Sequence, residues 1–245
     1  DGVGKFDGEW RAVKGSRYFE SPKLYKENGF KEKKDAEELV GILSAESPCQ
    51  AVIEKIERKK ENKNPPFLFN LAELQNECSR LFKISPDETL KIAQALYEKK
   101  YTTYPRTDAR VLSTAIAKVI DKNLVGLKSY LPTAAYANEI LVNSAYKGIE
   151  KTKYTDDTRI TDHYAIIPTG QVKGVSALDP LTRQVYDLIV RRFLSIFYPE
   201  AAYQKLICDC ICENEHFFFS AKVLFQEGYY PVAGIDTNSI LSTAN

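Results

Sequence analysis

Hydrophobic positions in the middle of the chain recur at the three- and four-residue spacing of amphipathic helices. Residues 71–82 carry one such face, and Asn70 and Glu73 are placed as a capping pair at its start. Ser85 and Pro86 suit the N-cap and first position of a second helix. The same patterns predict further helices after Ser113, over 133–142 and over 180–197. The centre of the chain is therefore predicted to be helical.

Both ends of the chain show the alternation of β-strands instead. Residues 8–13, 51–57, 206–212 and 217–225 have strand character, and 213–215 is a candidate hairpin turn. This order predicts an α+β fold in which a helical domain is inserted into a split β-rich domain. The predicted domains are 1–63, 64–200 and 201–245, and the first and third are two halves of one domain.

Two shorter stretches refine this picture. Residues 35–43 are predicted to form a helix with Asp35 as its N-cap. The polar, basic run 58–64 ends in Pro65-Pro66, which favours a solvated linker at a domain boundary over a binding patch.

Composition excludes some classes of protein. The 245 residues are 44% hydrophobic and carry a net charge of +1, so any site for a polyanion must be local. No apolar run approaches the roughly 18 residues that span a bilayer, so we expect no membrane role and a cytoplasmic protein. The one-residue spacing of Cys208, Cys210 and Cys212 does not match a zinc site and favours reduced thiols on a strand face. We predict no metal ligands in this chain.

The tyrosine segment, residues 101–113, carries the most suggestive chemistry. Pro105 holds the preceding residue in an extended conformation, which would place Tyr104, Arg106 and Asp108 on one face. A phenol has a pKa of about 10, and a fixed guanidinium favours the phenolate and can hold a phosphate. The alternative is the end of a buried strand with an ordinary Arg106–Asp108 ion pair.

The histidine segment, residues 161–170, contains one of only two histidines in the chain. His163 follows Asp162, a possible orienting partner, and leads into an apolar run that ends at Pro168 and Gly170. The alternative interpretation of His163 is a surface histidine or a satisfied core histidine.

Three motifs in this order resemble the type IA DNA topoisomerases, and most closely the topoisomerase III branch. They are Pro65-Pro66-Phe67-Leu68-Phe69-Asn70-Leu71, Thr103-Tyr104-Pro105-Arg106-Thr107-Asp108 and Thr161-Asp162-His163-Tyr164-Ala165-Ile166-Ile167-Pro168-Thr169. The resemblance implies a β-rich arch or hinge domain (1–63 and 201–245) and a helical gate domain (64–200).

The resemblance also implies roles for individual residues. Tyr104 matches the nucleophile that attacks single-stranded DNA and becomes linked to the 5′-phosphate. Arg106 matches the residue that holds the scissile phosphate, and His163 matches the histidine that contacts DNA near the cleavage site. The supporting DNA-binding set comprises Thr107, Asp108, Arg110 and Asp162.

The expected reaction is cleavage of one strand, passage of a strand and religation without ATP, which relaxes or decatenates DNA. The family's Toprim domain binds Mg²⁺ in the full-length enzyme, and we expect this chain to be a central fragment without that domain, inactive alone. Expected partners are single-stranded or negatively supercoiled DNA and, as a candidate, a helicase, with a monomeric enzyme. The alternatives are a single-stranded nucleic-acid-binding module without catalysis and a tyrosine recombinase-like enzyme.

Overall fold

The computed structural model describes residues 7–45 and 50–237 and divides into two compact units. The sheet unit comprises, within the described ranges, residues 7–45, 50–62 and 202–226. The helical unit comprises residues 63–201 and 227–237. None of the helices in these ranges is long and apolar enough to span a bilayer.

The sheet unit is built around four antiparallel strands in the order β1-β6-β5-β4. Their bounds are β1 Glu9–Arg11, β4 Val52–Lys63, β5 Ala201–Cys212 and β6 Glu215–Gln226. A small β2–β3 hairpin (Leu24–Lys26 and Gly29–Phe30) and helix α1 (Lys33–Leu43) complete the unit. One core cluster of the unit consists of Ala12, Tyr18 and Leu39, with Trp10 and Phe30 among the side chains packed against it. Cys208, Cys212 and Leu224 on β5 and β6 are buried as well.

The β5–β6 hairpin turns on two residues rather than three. Glu213 and Asn214 both have positive φ, 51° and 65°, as a tight hairpin turn requires. Glu215, predicted to lie in the turn, pairs with Cys212 as the first residue of β6. Its fully buried carboxylate accepts a hydrogen bond from the indole Nε1–H of Trp10 at 2.8 Å. Glu215 therefore connects β6 with Trp10 of β1 inside the sheet unit.

Three further local predictions are wrong. The basic run 58–63 continues β4, because an edge strand tolerates charged side chains on both exposed faces. Asp35 is not an N-cap; it is buried inside α1 and pairs with Lys23 Nζ at 2.9 Å. Cys208 and Cys210 on β5 are free thiols, as predicted, but Cys212 is disulfide-bonded.

The helical unit follows the predicted helix signals closely. Helices α2 (Leu71–Phe82) and α3 (Pro86–Glu98) begin where expected, with Asn70 and Ser85 accepting hydrogen bonds from the backbone N–H groups of Glu73 and Glu88. The remaining helices are α4 (Thr114–Ala117), α5 (Asp121–Leu127), α6 (Ala134–Val142), α7 (Pro180–Ser195) and α8 (Tyr230–Ala233). The helix predicted after Ser113 is thus two short helices.

Residues 227–237 belong to the helical unit, although the sequence places them in the last β-rich segment. Pro231 lies in the first turn of the short α8, and the backbone of α8 is hydrogen-bonded to two other helices of this unit. Arg191 Nη1 donates to the carbonyl oxygen of Val232 at 3.2 Å, and the Tyr136 hydroxyl donates to that of Pro231 at 3.3 Å. These long-range bonds carry no local sequence signal.

A single large apolar cluster supports the helical unit. Its fully buried members include Leu74, Leu96, Leu124, Tyr186 and Phe193, which come from four different helices. Side chains of the tyrosine and histidine segments, among them Leu112 and Ile166, belong to the same cluster. The segments that carry the candidate chemistry are therefore anchored in the core.

Candidate active site

Backbone and hydroxyl hydrogen bonds hold the tyrosine segment against the histidine segment. Thr103 donates its N–H to the carbonyl oxygen of Ile167 at 3.0 Å and its hydroxyl to that of Ala165 at 2.9 Å. Ile167 N–H returns a bond to Thr103 Oγ1 at 2.9 Å, and Thr169 N–H donates to Tyr101 O at 3.0 Å. Residues about sixty positions apart in sequence are joined here.

Thr107 makes a second connection between the tyrosine segment and the histidine segment, at the backbone of His163. Its hydroxyl donates to the backbone carbonyl of His163 at 2.6 Å and accepts from the N–H of Ala109 at 3.1 Å. The Thr107 residue is buried, with 7% of its surface exposed. Thr107 therefore sets the backbone position of His163 from inside the fold.

The tyrosine segment alternates between buried and accessible residues, although it is not a regular strand. Pro105, Thr107 and Ala109 are buried, whereas Tyr104 is half-buried and Arg106 is exposed. Isolated β-bridges pair the two ends of the tyrosine segment with other parts of the same chain. Between these bridges, the Thr107 N–H donates to the carbonyl oxygen of Pro105 at 3.0 Å. The phenol of Tyr104 and the guanidinium of Arg106 are thus both at least partly accessible to solvent.

Tyr104 lies between two other rings. Its ring centroid is 4.5 Å from that of His163, with the planes tilted by 48°, and 5.3 Å from that of Tyr97, edge to face. A cavity of about 350 Å³ lies beside these three side chains. Burial raises the pKa of Tyr164, another phenol at this cavity, which makes its hydroxyl a poorer nucleophile at neutral pH.

Two polar side chains at this cavity were not singled out by sequence reasoning. Lys100 adopts a left-handed backbone conformation (φ 63°), and its carbonyl accepts the Thr169 hydroxyl at 2.6 Å. The buried hydroxyl of Thr102 also lines the cavity and has no hydrogen-bond partner in the structure as described. The position of Lys100, just before the Thr103–Asp108 motif, was the available signal in the sequence.

The remaining predicted site residues are less closely gathered. Asp108 and Asp162 are exposed, and no hydrogen bond joins Asp162 to His163 in the described ranges. No ion pair joins Arg106 to Asp108 in those ranges either. The structure therefore provides Asp162 with no orienting contact to His163.

Arg110 is directed into the fold rather than towards the cavity. Its Nε–H donates to the carbonyl oxygen of Leu68 at 3.1 Å, and its Nη2 lies 3.3 Å from a carboxylate oxygen of Glu73. Asn70, the N-cap of α2, donates to the carbonyl oxygen of Asp108 at 3.1 Å. Arg110 and Asn70 thus hold the tyrosine segment against the start of α2.

The arrangement can support nucleophilic attack on a phosphate. The phenol of Tyr104 packs against the imidazole of His163, and the exposed guanidinium of Arg106, two residues along the chain, can bind a phosphate through paired N–H donors. Around Tyr104, the described residues bring no three metal-ligating side chains together, so they do not fit a Mg²⁺ site. The chemistry is accordingly derived from the side chains alone.

The chain is similar in sequence to known DNA topoisomerases. A family model described as DNA topoisomerase matches residues 9–242. DNA topoisomerase 3 of Bacillus cereus is 34% identical over 209 residues, covering 84% of this chain and 28% of that protein. DNA topoisomerase 3 of Bacillus subtilis strain 168 is 35% identical over 185 residues, covering 75% of this chain and 25% of that protein.

A solved structure is similar in fold. Full-length topoisomerase I from Thermotoga maritima matches with a TM-score of 0.58 at 21% identity, over 86% of this chain and 33% of that one. The chain thus spans about a quarter to a third of the length of the proteins it matches. The chain belongs to the DNA topoisomerase family, as a topoisomerase 3-like member of type IA.

Proposed function

We propose that this chain supplies the nucleophile of a type IA topoisomerase, with Tyr104 attacking a phosphodiester of single-stranded DNA. The observation that carries the proposal is the ring of Tyr104 held 4.5 Å from that of His163, with exposed Arg106 two residues further along the chain. Membership of the DNA topoisomerase family supports the same reaction class.

In the proposed reaction, the phenol oxygen of Tyr104 bonds to phosphorus and the bond from phosphorus to the 3′ oxygen breaks. The 3′ oxygen takes up a proton, the phenol loses one, and a 5′-phosphotyrosine ester remains. Arg106 stabilises the negative charge that develops on the phosphate oxygens, and His163 positions the phenol and contacts the phosphate. The ester conserves the energy of the broken bond, so the reverse attack reseals the strand without ATP.

The proposal also assigns roles to the two units. The helical unit would act as a gate that carries Tyr104 with its linked strand, and the sheet unit as the hinge of that movement. We assign Mg²⁺, expected for the full-length enzyme, to no residue of this chain, and the isolated chain should not relax supercoiled plasmid DNA. Relaxation by the isolated chain would refute this part of the proposal.

The test is covalent capture of an oligonucleotide by the full-length protein. A single-stranded oligonucleotide labelled at its 3′ end should become attached to the protein, whereas a 5′ label should be released. Tyr104→Phe should abolish the adduct, and Tyr25→Phe, which removes an exposed phenol in the sheet unit, should not. An adduct that persists in Tyr104→Phe would refute the proposed nucleophile.

The same experiment separates the alternatives. Binding without any adduct in the unmodified protein would favour a binding module, and an adduct that keeps the 5′ label would favour a recombinase-like link. Arg106→Ala should weaken binding and lower the slope of log affinity against log salt by about 0.7, the value for one phosphate contact on a single strand. An unchanged slope would mean that Arg106 does not contact phosphate.

A further inference from the structure

The sheet unit contains a second cluster of reactive side chains, which the proposed DNA chemistry does not use. Glu54 on β4, Asp209 on β5 and His216 on β6 come from three adjacent strands. One ligand atom from each lies within 4.8 Å of those of the other two. We call these residues the three-strand cluster.

The register of the hairpin produces this approach. Asp209 pairs with Phe218 and His216 pairs with Ile211, so Asp209 and His216 are diagonal neighbours on one face of the sheet. The ring of His216 lies nearly parallel to that of Phe218, at 17°. The His216 and Asp209 side chains are 14% and 16% exposed, so both are largely held in place.

The cluster contains more negative charge than its imidazole can satisfy. His216 Nδ1 is 2.9 and 3.0 Å from the two carboxylate oxygens of Asp209 and 3.9 Å from Oε2 of Glu54. One N–H cannot serve both carboxylates. The nearby ammonium of Lys55 pairs instead with Glu57 at 2.7 Å, so no lysine or arginine of the described chain pairs with Glu54. Two carboxylates and one imidazole nitrogen thus converge, and Lys55 acts on Asp209 electrostatically without forming an ion pair with it in the described ranges.

We infer that the three-strand cluster binds Zn²⁺. Zinc takes imidazole nitrogen and carboxylate oxygen at about 2.0–2.2 Å, which places tetrahedral ligand atoms about 3.3–3.6 Å apart. The separations of 2.9 and 3.9 Å around Nδ1 bracket that range. The Glu54 side chain is 55% exposed and can adjust, and solvent can supply the fourth ligand. Mg²⁺ fits less well because it prefers oxygen ligands.

A bound Zn²⁺ would link β4, β5 and β6 through their side chains, whereas the β5–β6 hairpin connects only two of these strands. The sequence prediction of no metal ligands could not anticipate this site, because its three residues share no short spacing pattern. The inference does not depend on the proposed function, since all three ligands lie in the sheet unit and none belongs to the cavity beside Tyr104.

The test is a calorimetric titration of the 245-residue chain with Zn²⁺ in a Cys208→Ser/Cys210→Ser background, which removes the free thiols of β5. We expect one Zn²⁺ per chain, with binding maintained in millimolar Mg²⁺. Glu54→Gln, Asp209→Asn and His216→Ala should each weaken binding at least about tenfold, since even loss of an outer-shell partner costs that much. Glu57→Gln removes a neighbouring carboxylate of β4 and should bind like the parent.

Zinc should also raise the temperature of the unfolding transition reported by Trp10, the single tryptophan, which lies in the sheet unit. His163→Ala removes the other histidine and should retain that shift. Glu54 is exposed, so Glu54→Gln tests the site even if variants at the two more buried ligands fail to fold. Absence of stoichiometric binding, or equal binding by the parent and Glu54→Gln, would overturn the inference.

Discussion

The helical unit and the sheet unit are stabilised in different ways. The helical unit buries a large apolar cluster drawn from most of its helices, and the tyrosine and histidine segments are part of it. Among the described residues of the sheet unit, the cluster around Ala12, Tyr18 and Leu39 is small, and the edge strand β4 is exposed along almost its whole length. Tyr104 thus belongs to the unit whose described core is larger, and close packing there can hold a side chain in place.

The largest expected effect comes from the core of the helical unit. Leu124→Ala should destabilise this unit by about 2–5 kcal/mol, because Leu124 is fully buried and its truncation leaves a cavity. Ile53→Ala on β4 should cost less than about 0.5 kcal/mol, because Ile53 is 53% exposed. Urea denaturation followed by far-UV circular dichroism measures the first, and Trp10 fluorescence the second.

The same two measurements test whether the helical unit and the sheet unit unfold independently. If the units unfold separately, Leu124→Ala should shift the helical transition and leave the Trp10 transition in place. Coincident shifts of both transitions would show that the units unfold as one cooperative body.

Within the sheet unit, the strongest single tie should be Glu215. Glu215→Ala leaves the half-buried indole N–H of Trp10 without its acceptor and removes the acceptor of the Arg17 backbone N–H, which should cost about 1–3 kcal/mol. Glu215→Gln retains an acceptor and should cost less. The Trp10 fluorescence transition measures both, and equal stability of Glu215→Ala and the parent would contradict this role.

Thr107→Val should have a moderate effect on stability and a clear effect on the site. The substitution conserves shape but removes the hydroxyl that bonds His163 O and Ala109 N–H, at an expected cost of about 1–2 kcal/mol. Slower covalent capture of DNA by the full-length protein should accompany it. Thr107→Ser keeps the hydroxyl and should restore most of the rate; the same rate in both variants would mean that Thr107 does not position His163.

The smallest expected effect concerns pH. At the start of α7, the hydroxyl and backbone N–H of Thr182 lower the pKa of Asp179. A lowered native pKa stabilises the fold above the ordinary aspartate pKa, and this contribution disappears as the pH falls through the lowered value. Asp179→Asn keeps an acceptor but does not titrate, so its stability should fall less between pH 7 and pH 3.

In the sheet unit, the carboxyl group of Glu9 is the counterpart of that of Asp179. The pKa of Glu9 is lowered mainly by Arg11 and then by Asn28, so its pH-dependent contribution should weaken in high salt, whereas that of Asp179 should change less. Urea midpoints at the two pH values, with and without added salt, measure the difference. An equal response of Glu9→Gln and Asp179→Asn to salt would contradict it.

Local signals predicted the helices well because their causes are local. Asn70, Ser85 and Asp179 cap helices through bonds that reach only three residues along the chain. Prediction failed where a distant partner decides the outcome. Asp35 pairs with Lys23 instead of capping, and the charged run 58–63 becomes strand because it lies beside β5 at a sheet edge.

The candidate site likewise has features that the local sequence predicted and features that depend on distant residues. Pro105 and the period of two predicted the accessible face of Tyr104 and Arg106, and the motifs carried the family resemblance. The contact of Tyr104 with Tyr97 and the inward direction of Arg110 could not be predicted, because they depend on packing against α3 and the start of α2.

Sequence patterns were enough to predict the helical centre of the chain, the β5–β6 hairpin and a tyrosine stiffened by the proline after it, with an arginine one residue further on. These follow from hydrophobic period, capping and proline geometry, which act over a few residues. Only the tertiary structure decided that His163 lies against Tyr104, because hydrogen bonds from Thr103 and Thr107 join segments about sixty residues apart. It also decided that Glu54, Asp209 and His216 converge, because strand order and register, which no local pattern encodes, bring distant residues onto one face.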